Sequence, residues 1–333
     1  PKADFFLFGM GDRPKLLYQN GTLQDALTGQ VIKEWKVQEA MIVPPAYTVI
    51  LKTDAGVVVI SEDESGVWLE SGGRREALSR SPLSLPSFDG QPFPQVLRVL
   101  HHEVLINFLG GAPVPNLFAY PKPWYRDAAM TAMVLERTGN LGLIKSWVLG
   151  LREPYDLQNH GEMEADNLGE LLYLISLVSD SQHPLVPTIL AELKKLQRMG
   201  YINGRTDFEA HPVYQTQWAK FGLRALGLPD PLAIPAINDP YATLAWWGQK
   251  PRNASTMQVI LSPHYPYLTW AGAHFTGKVF GAMSDRDYPL SWERSGGQAN
   301  VQAMGRIAKA YEVDQTCAPH AWHAAEMFLY LVR

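Results

Sequence analysis

Two clusters of charged and aromatic residues stand directly before long apolar stretches and are the first candidates for chemistry. Residues 124–127 read Trp-Tyr-Arg-Asp, and residues 162–167 read Glu-Met-Glu-Ala-Asp-Asn. Both clusters precede stretches with helical periodicity, so their acids, arginine and rings lie at helix starts, where backbone donors are unsatisfied and loops vary freely. This placement favours an enzyme, and the combination of rings with acids favours a sugar substrate.

The first cluster is suited to binding hydroxyl groups. Arg126 and Asp127 are adjacent, and Trp124 and Tyr125 flank them. A guanidinium can donate to vicinal hydroxyls while a carboxylate accepts from them, and aromatic faces stack on sugar rings. The alternative is an ion pair at a helix start, where the helix dipole favours the acid.

This cluster also resembles a known family. PWYRDAAMTAMVLERTGN is similar to the tryptophan-arginine-aspartate segment of the glucoamylase-like six-hairpin glycosidases, and residues 319–326, PHAWHAAE, resemble their closing helix. The resemblance covers a minor part of the chain. It implies an (α/α)6 toroid, inverting hydrolysis and no metal or other cofactor, and it transfers a sugar-binding role to Arg126 and Asp127 only.

The second cluster supplies candidates for a general acid. Glu162 and Glu164 precede a predicted helix cap at Asn167, and crowding of acids raises the pKa of at least one of them. An inverting glycosidase also needs a carboxylate roughly 6.5–9.5 Å away to activate water. Glu293, beside a tryptophan late in the chain, is the candidate base, with Asp287 as the next choice. A solvated acidic loop around the second cluster and surface ion pairs around the late acids are the alternatives.

Further residues combine rings with amide, hydroxyl or imidazole groups, as ligand pockets do. The additional substrate-binding candidates are Tyr214, Gln215, Trp218, Trp270, His274, Asp287 and Trp292.

Histidines late in the chain support a different reading. His264, together with His320 or His323, could transfer protons in a sugar isomerase or epimerase. The pair at 320 and 323 is one helical turn apart, but there is no HExxH pattern and no clear third ligand, so no metal is expected. An unsaturated-uronide hydrolase and a carbohydrate-binding protein without activity also remain open.

Composition excludes several other classes. The chain has 333 residues, 46% of them hydrophobic and 19% charged, with a net charge of −4 and no extended basic segment, so neither nucleic acid nor a membrane is an expected partner. No apolar stretch is long enough to span a bilayer, and no signal peptide is visible. The single cysteine, Cys317, excludes an internal disulfide. Compartment and oligomeric state stay open.

The pattern of elements changes once along the chain. Residues 1–78 contain short β-branched and aromatic runs between turn pairs, which predict a small antiparallel region of six or seven strands. Residues 79–94 are rich in serine and proline and predict a linker. Residues 95–333 predict ten or more helices, at 95–109, 127–137, 141–150, 167–178, 183–199, 213–226, 240–247, 267–280, 297–311 and 320–332. We therefore expect an (α/α)6 toroid behind the β region.

Overall fold

A computed structural model describes residues 4–237, 239, 241, 288–295 and 298–332. The chain begins with a four-stranded antiparallel meander of β1 (Phe5–Phe8), β2 (Leu16–Gln19), β3 (Thr22–Asp25) and β4 (Val31–Glu34). Asn20 and Gly21, with φ of 47° and 80°, join β2 to β3 in the left-handed conformation that a two-residue hairpin needs. The buried rings of β1 make this sheet part of the core.

A second antiparallel sheet follows directly. Its five strands are β5 (Val37–Val43), β6 (Thr48–Thr53), β7 (Gly56–Asp63), β8 (Gly66–Ser71) and β9 (Arg74–Arg80), paired in chain order. Val58, Ile60 and Glu62 alternate inward along β7, while the other face is solvated.

A buried ion pair ties the two sheets together. Arg13 lies between β1 and β2, and its Nη1 donates to Glu62 Oε1 on β7 at 2.8 Å. The same carboxylate accepts from the backbone N–H groups of Gly9 and Met10 at 2.9 and 2.7 Å. A buried carboxylate with this many donors fixes the relative position of the sheets.

Helices make up most of the rest of the described chain. They are α1 (Pro94–Ile106), α2 (Tyr125–Thr138), α3 (Gly142–Gly150), α4 (Asp166–Ser176), α5 (Val186–Leu196), α6 (Pro212–Ala225), α7 (Lys309–Val313) and α8 (Ala321–Leu331). Two 3-10 helices, Pro44–Ala46 and Val301–Arg306, and three two-stranded ribbons complete the elements. The ribbons pair β10 (Phe108–Leu109) with β11 (Ala112–Pro113), β12 (Gln197–Arg198) with β13 (Tyr201–Ile202), and β14 (Glu293–Arg294) with β15 (Thr316–Cys317).

The helices pack in an order that differs from their order in the chain. α4 lies against α6 and α2, α2 against α8, and α8 against α1. Glycine allows the closest of these contacts, because a Cβ on Gly169 of α4 would lie 2.3 Å from the carbonyl carbon of Trp218 on α6. None of the helices in the described ranges is both long enough and apolar enough to cross a membrane.

The expectation of a mainly-α toroid is wrong. The protein is 35% helix and 24% strand, and its N-terminal region has nine strands in two sheets rather than six or seven in a small frame. Periodicity identifies individual helices but does not show how they pack together. The predicted number of helices also included two segments outside the described residues, 267–280 and most of 240–247. The division into residues 1–78, 79–94 and 95–333 stays a prediction.

Most individual helices agree with the sequence pattern to within a few residues. The main differences are at 297–311, which form a 3-10 helix followed by the short α7, and at 183–199, where α5 covers only Val186–Leu196. The predicted capping box at Asn167 is also wrong. α4 already begins at Asp166, so Asn167 lies inside the helix, and its side chain donates to Glu170 Oε2 at 3.3 Å.

The close approach of α4 and α6 predicts that Gly169→Ala destabilises the protein. The added methyl group would overlap the α6 backbone and force the helices apart, so we expect the free energy of unfolding to fall by about 1–3 kcal/mol. Urea unfolding measures this. Gly142→Ala at the start of α3 is the matched control, because its Cβ would meet nothing within 4 Å. Equal midpoints for Gly169→Ala and the wild type would contradict this packing.

Candidate active site

The N-terminal ends of several helices meet around Arg126, in the first turn of α2. The guanidinium lies 3.7 Å from Asp166, which begins α4, and 5.5 Å from the ring of Trp322 in the first turn of α8. The loop before α6 contributes Asp207. The starts of α2, α4 and α8 and the loop before α6 therefore lie together around Arg126.

Arg126 is surrounded by acceptors. Its Nη1 donates to Asp207 Oδ2 at 3.0 Å and to the Tyr241 hydroxyl at 2.8 Å, and its Nη2 donates to Glu164 Oε2 at 3.0 Å and Asp207 Oδ1 at 3.2 Å. Asp166 adds a third carboxylate. The guanidinium thus holds the site's own acids in place, and direct binding of sugar hydroxyls by Arg126 stays a prediction.

Glu164 is a fixed, buried partner in this network. Besides Arg126, its carboxylate accepts from Asn159 Nδ2 at 3.0 Å and from the backbone N–H of Asp207 at 2.7 Å. Glu162 differs, because its side chain is 34% exposed at the rim and pairs with Arg205 at 3.5 Å. Both oxygens of Glu164 are therefore engaged by protein donors, which fix the orientation of its side chain.

The acids around Arg126 have opposite pKa shifts. Burial raises the pKa of Asp166 to about 7. The neighbouring guanidinium of Arg126 and the hydrogen bond that Thr206 donates to Asp166 Oδ1, at 2.7 Å, lower this pKa but do not outweigh burial. Burial alone would also raise the pKa of Asp207, but Arg126 and the hydrogen bonds from Tyr241 and Arg126 lower it below its ordinary value. Asp207 is therefore the ionised partner of Arg126.

Three aromatic rings surround the guanidinium. The ring centroids of Trp124, Tyr241 and Trp322 lie 5.9, 6.0 and 5.5 Å from the guanidinium carbon of Arg126. All three side chains are partly exposed, so each can offer a face to a ligand as well as to the cation. Such rings beside polar groups suit a hydroxylated ligand.

Asp127, next to Arg126, has a different environment. Its side chain is buried, and Oδ1 has no hydrogen-bond partner among the described residues. Burial raises the pKa of Asp127 to about 8; Arg126 opposes this increase and the charge of Glu293 adds to it. At neutral pH this carboxyl therefore carries a proton.

Glu293 and two histidines form the other half of the site. Pairing of β14 with β15 sets Glu293 opposite Cys317, three residues before His320. The carboxylate contacts His323 Nε2 through Oε2 and lies 3.4 Å from His320 Nε2 through Oε1. Burial raises the pKa of Glu293, and burial lowers the pKa of His320 and His323 to about 4 and about 3. Both imidazoles are neutral at neutral pH.

Buried hydrogen bonds hold this half in place. Glu103 on α1 accepts from the backbone N–H groups of Leu290 and Ser291 at 2.6 and 2.8 Å. Ser291 Oγ in turn accepts from the N–H of His320 at 3.0 Å. The segments that carry Glu293 and His320 are thus fixed to each other and to α1.

The remaining predicted site residues in the described chain lie deeper. Tyr125 donates to the Glu153 carbonyl at 2.9 Å and packs on Trp147 of α3, Tyr214 donates to Glu170 at 3.3 Å, and the Gln215 amide bonds Gly204 and Thr206. Trp218 is buried between Tyr173 and Phe221, and Trp292 is half-buried against the core. These side chains support the site loops from behind rather than line its surface. His264, Trp270, His274 and Asp287 lie outside the described residues.

Sequence reasoning missed Asp207, Tyr241 and Trp322. Asp207 has a φ of 48°, and the Gly-Arg-Thr-Asp turn at 204–207 was a signal for a tight loop. Tyr241 lies far along the chain and stacks on His211 at 4.4 Å. No local pattern indicates such a contact.

Comparison of the chain with protein families, with characterised proteins and with solved structures found no match. The resemblance to six-hairpin glycosidases therefore stays a prediction, and the function has to be argued from the side chains.

The Arg126 network predicts a pH-dependent loss of stability in Arg126→Met. Removing the cation leaves Glu164, Asp166 and Asp207 as unpaired acids, and we expect the free energy of unfolding to fall by about 3–5 kcal/mol at pH 7. At pH 5 the deficit is smaller, because the carboxyls left without a cation in the variant take up protons there, whereas Asp207 of the wild type, with a pKa below its ordinary 3.8, stays ionised. Denaturant unfolding at both pH values measures the difference.

Arg205→Met is the matched control for this experiment. It removes the exposed pair with Glu162, so we expect a loss below about 1 kcal/mol with little pH dependence. A deficit for Arg126→Met that stays constant or grows on acidification would refute the buried-charge account.

Proposed function

We propose that the protein hydrolyses a glycosidic bond, with Asp127 as the proton donor to the leaving oxygen and Glu293 as the centre that activates water. The observation that carries the proposal is the buried Asp127 carboxyl, whose Oδ1 has no hydrogen-bond partner among the described residues and whose pKa is raised by burial to about 8. A general acid needs a proton at working pH and an oxygen free to deliver it. Asp127 meets both requirements.

This assignment differs from the roles that were predicted for the acids from the sequence. Glu164 is engaged by Arg126, Asn159 and the Asp207 backbone, and Glu162 is a rim residue paired with Arg205. Asp127, expected to bind substrate, has the environment of a catalytic acid instead. Two carboxyls with different surroundings, one protonated and one held by imidazoles, are the arrangement that acid–base hydrolysis of a glycoside needs.

The charges favour a neutral sugar over an acidic one. Arg126 is already paired with Glu164 and Asp207, with Asp166 close by. A uronate placed beside Arg126 would face the carboxylates that this guanidinium already pairs with, and like charges repel. This argues against an unsaturated-uronide hydrolase. The rings of Trp124, Tyr241 and Trp322 suit the apolar face of a neutral sugar.

A sugar isomerase is the second candidate, favoured by the contact between His320 and His323, whose ring centroids are 4.6 Å apart. Burial keeps both rings neutral, but pKa values of about 4 and about 3 also make them weak bases, which counts against this reading. Interconversion of free sugars without hydrolysis of any glycoside would favour this reading.

The proposal predicts that Asp127→Asn abolishes turnover but not binding. With a panel of neutral aryl glycosides and oligosaccharides, we expect kcat to fall by about 10²–10⁴-fold with little change in substrate affinity. Wild-type activity should also fall above about pH 8, because Asp127 then loses its proton. Proton NMR of the first product gives its anomeric configuration.

Glu162→Gln is the control for this substitution. The Glu162 side chain is partly exposed and pairs with Arg205 at 3.5 Å, so kcat should be unchanged. Turnover by Asp127→Asn at the wild-type rate, or a larger loss in Glu162→Gln, would overturn the assignment.

Asp127→Asn should also make the protein more stable at neutral pH. Asp127 has a pKa of about 8 in the folded state against an ordinary 3.8, so the folded state holds a proton that the unfolded chain releases. The folded state therefore loses stability as pH rises from 4 to 8, and asparagine, which cannot ionise, avoids this loss. We expect Asp127→Asn to raise Tm at pH 7.5 and to leave it nearly unchanged at pH 4. Lower stability of the variant at pH 7.5 would contradict a protonated Asp127.

A further inference from the structure

A compact set of nitrogen and oxygen ligands lies at the start of α8. Glu293, His320 and His323 each offer one ligand atom, and these atoms lie within 4.8 Å of one another. All three side chains are buried. The two histidines are three residues apart at a helix start, so their rings project from the same side of the helix.

The spacing is close to that of a metal site. Ligand atoms about 2.1 Å from zinc in a tetrahedron lie roughly 3.4 Å from one another. The separation between His320 Nε2 and Glu293 Oε1 is 3.4 Å. His323 Nε2 and Glu293 Oε2 are closer than this, so a metal would have to move the two groups apart and replace the hydrogen bond between them.

We propose that Glu293, His320 and His323 bind one divalent transition-metal ion, with zinc as the best fit, and leave a fourth position open. Two imidazoles and one carboxylate are the ligand set of open zinc sites, in which water or a substrate oxygen takes the remaining position. The two imidazole rings each approach a different oxygen of Glu293: His320 lies near Oε1 and His323 near Oε2. One hydrogen bond would be enough to orient this carboxylate, so the second ring points to a further role.

The backbone around the site is fixed before any ion binds. The His320 N–H donates to Ser291 Oγ at 3.0 Å, and the Ala321 N–H donates to the Pro115 carbonyl at 2.8 Å. β14 and β15 hold Glu293 at this end of α8. Little conformational entropy has to be lost on binding, which favours affinity.

The inference does not rest on the hydrolase proposal, because metal binding can be measured without substrate. If an ion binds, the water-activating role given to Glu293 passes to a metal-bound water, whose pKa the ion lowers. If no ion binds, Glu293 can still act as a base.

Metal content and stability of the full chain test the site. Protein expressed without a histidine tag in zinc-supplemented medium and then dialysed should retain about one zinc per chain by mass spectrometry. Chelation should lower Tm, and added zinc should restore it. Cobalt substitution should give the visible absorption of a four-coordinate site. These measurements use the wild type and do not depend on the folding of a variant.

Variants then locate the ligands. His320→Ala and His323→Ala should each lose the bound zinc and the cobalt absorption, whereas His160→Ala, which removes an exposed histidine, should retain both. Wild-type protein that holds no zinc after dialysis and shows no Tm shift with zinc would overturn the proposal. Zinc that remains bound in both His320→Ala and His323→Ala would also overturn it. Loss of hydrolysis in Asp127→Asn with no metal in the wild type would sink the metal site and leave the hydrolase proposal standing.

Discussion

The ion-pair network of Arg126 is the interaction on which the candidate site depends. One guanidinium joins Glu164, 38 residues away, and Asp207, 81 residues away, and Tyr241 lies further still along the chain. No single loop can form this network, so the site exists only when α2, α4 and the loop before α6 are packed together. The same contacts position the backbone, because the Asp207 N–H donates to Glu164. Removing the cation would leave buried carboxylates that repel one another, which makes Arg126 a structural requirement whatever it contributes to binding.

The acids in this protein fall into two groups with opposite effects on stability. Asp63, in a β-hairpin, has a pKa lowered to about 2. Burial is the largest single effect and raises it, but the hydrogen bonds from Ser65, Trp68 and the Gly66 backbone together outweigh burial, so ionised Asp63 stabilises the fold. Asp127 and Glu293 have raised pKa values and reduce stability at neutral pH. Structural ion pairs also shift pKa values, but an unpartnered buried carboxyl has no such structural use. Stability is lost where chemistry would need a proton, as active sites often show.

The sequence predicted local features better than their assembly. The strands of the N-terminal region and the bounds of α1, α2, α3 and α6 follow from periodicity and turn residues, which are local properties. The pairing of helices was not readable, and the expected toroid was wrong, because the chain order of helices does not state which ones pack together. In the site, Arg126, Asp127 and Glu293 stood out by type and neighbours. Their roles did not, since burial and the Glu293 contact with His323 depend on residues far away in the chain.

The position of Arg126 and Asp127 at the start of α2 places two adjacent side chains in different environments. Successive side chains on a helix diverge by roughly 100°, so neighbours in sequence face different surroundings. Arg126 faces the carboxylates at the start of α4 and in the loop before α6, whereas Asp127 is buried without a hydrogen bond to its Oδ1, and the charge of Glu293 contributes to its raised pKa. α2 packs against both α4 and α8. It therefore lies between the half of the site around Arg126 and the half that contains Glu293, His320 and His323. A ligand stacked on Trp322 would contact both halves, because that ring lies over Arg126 and is the direct neighbour of His323 in the chain. Under the proposed function, one turn of α2 would therefore supply both the binding residue and the proton donor.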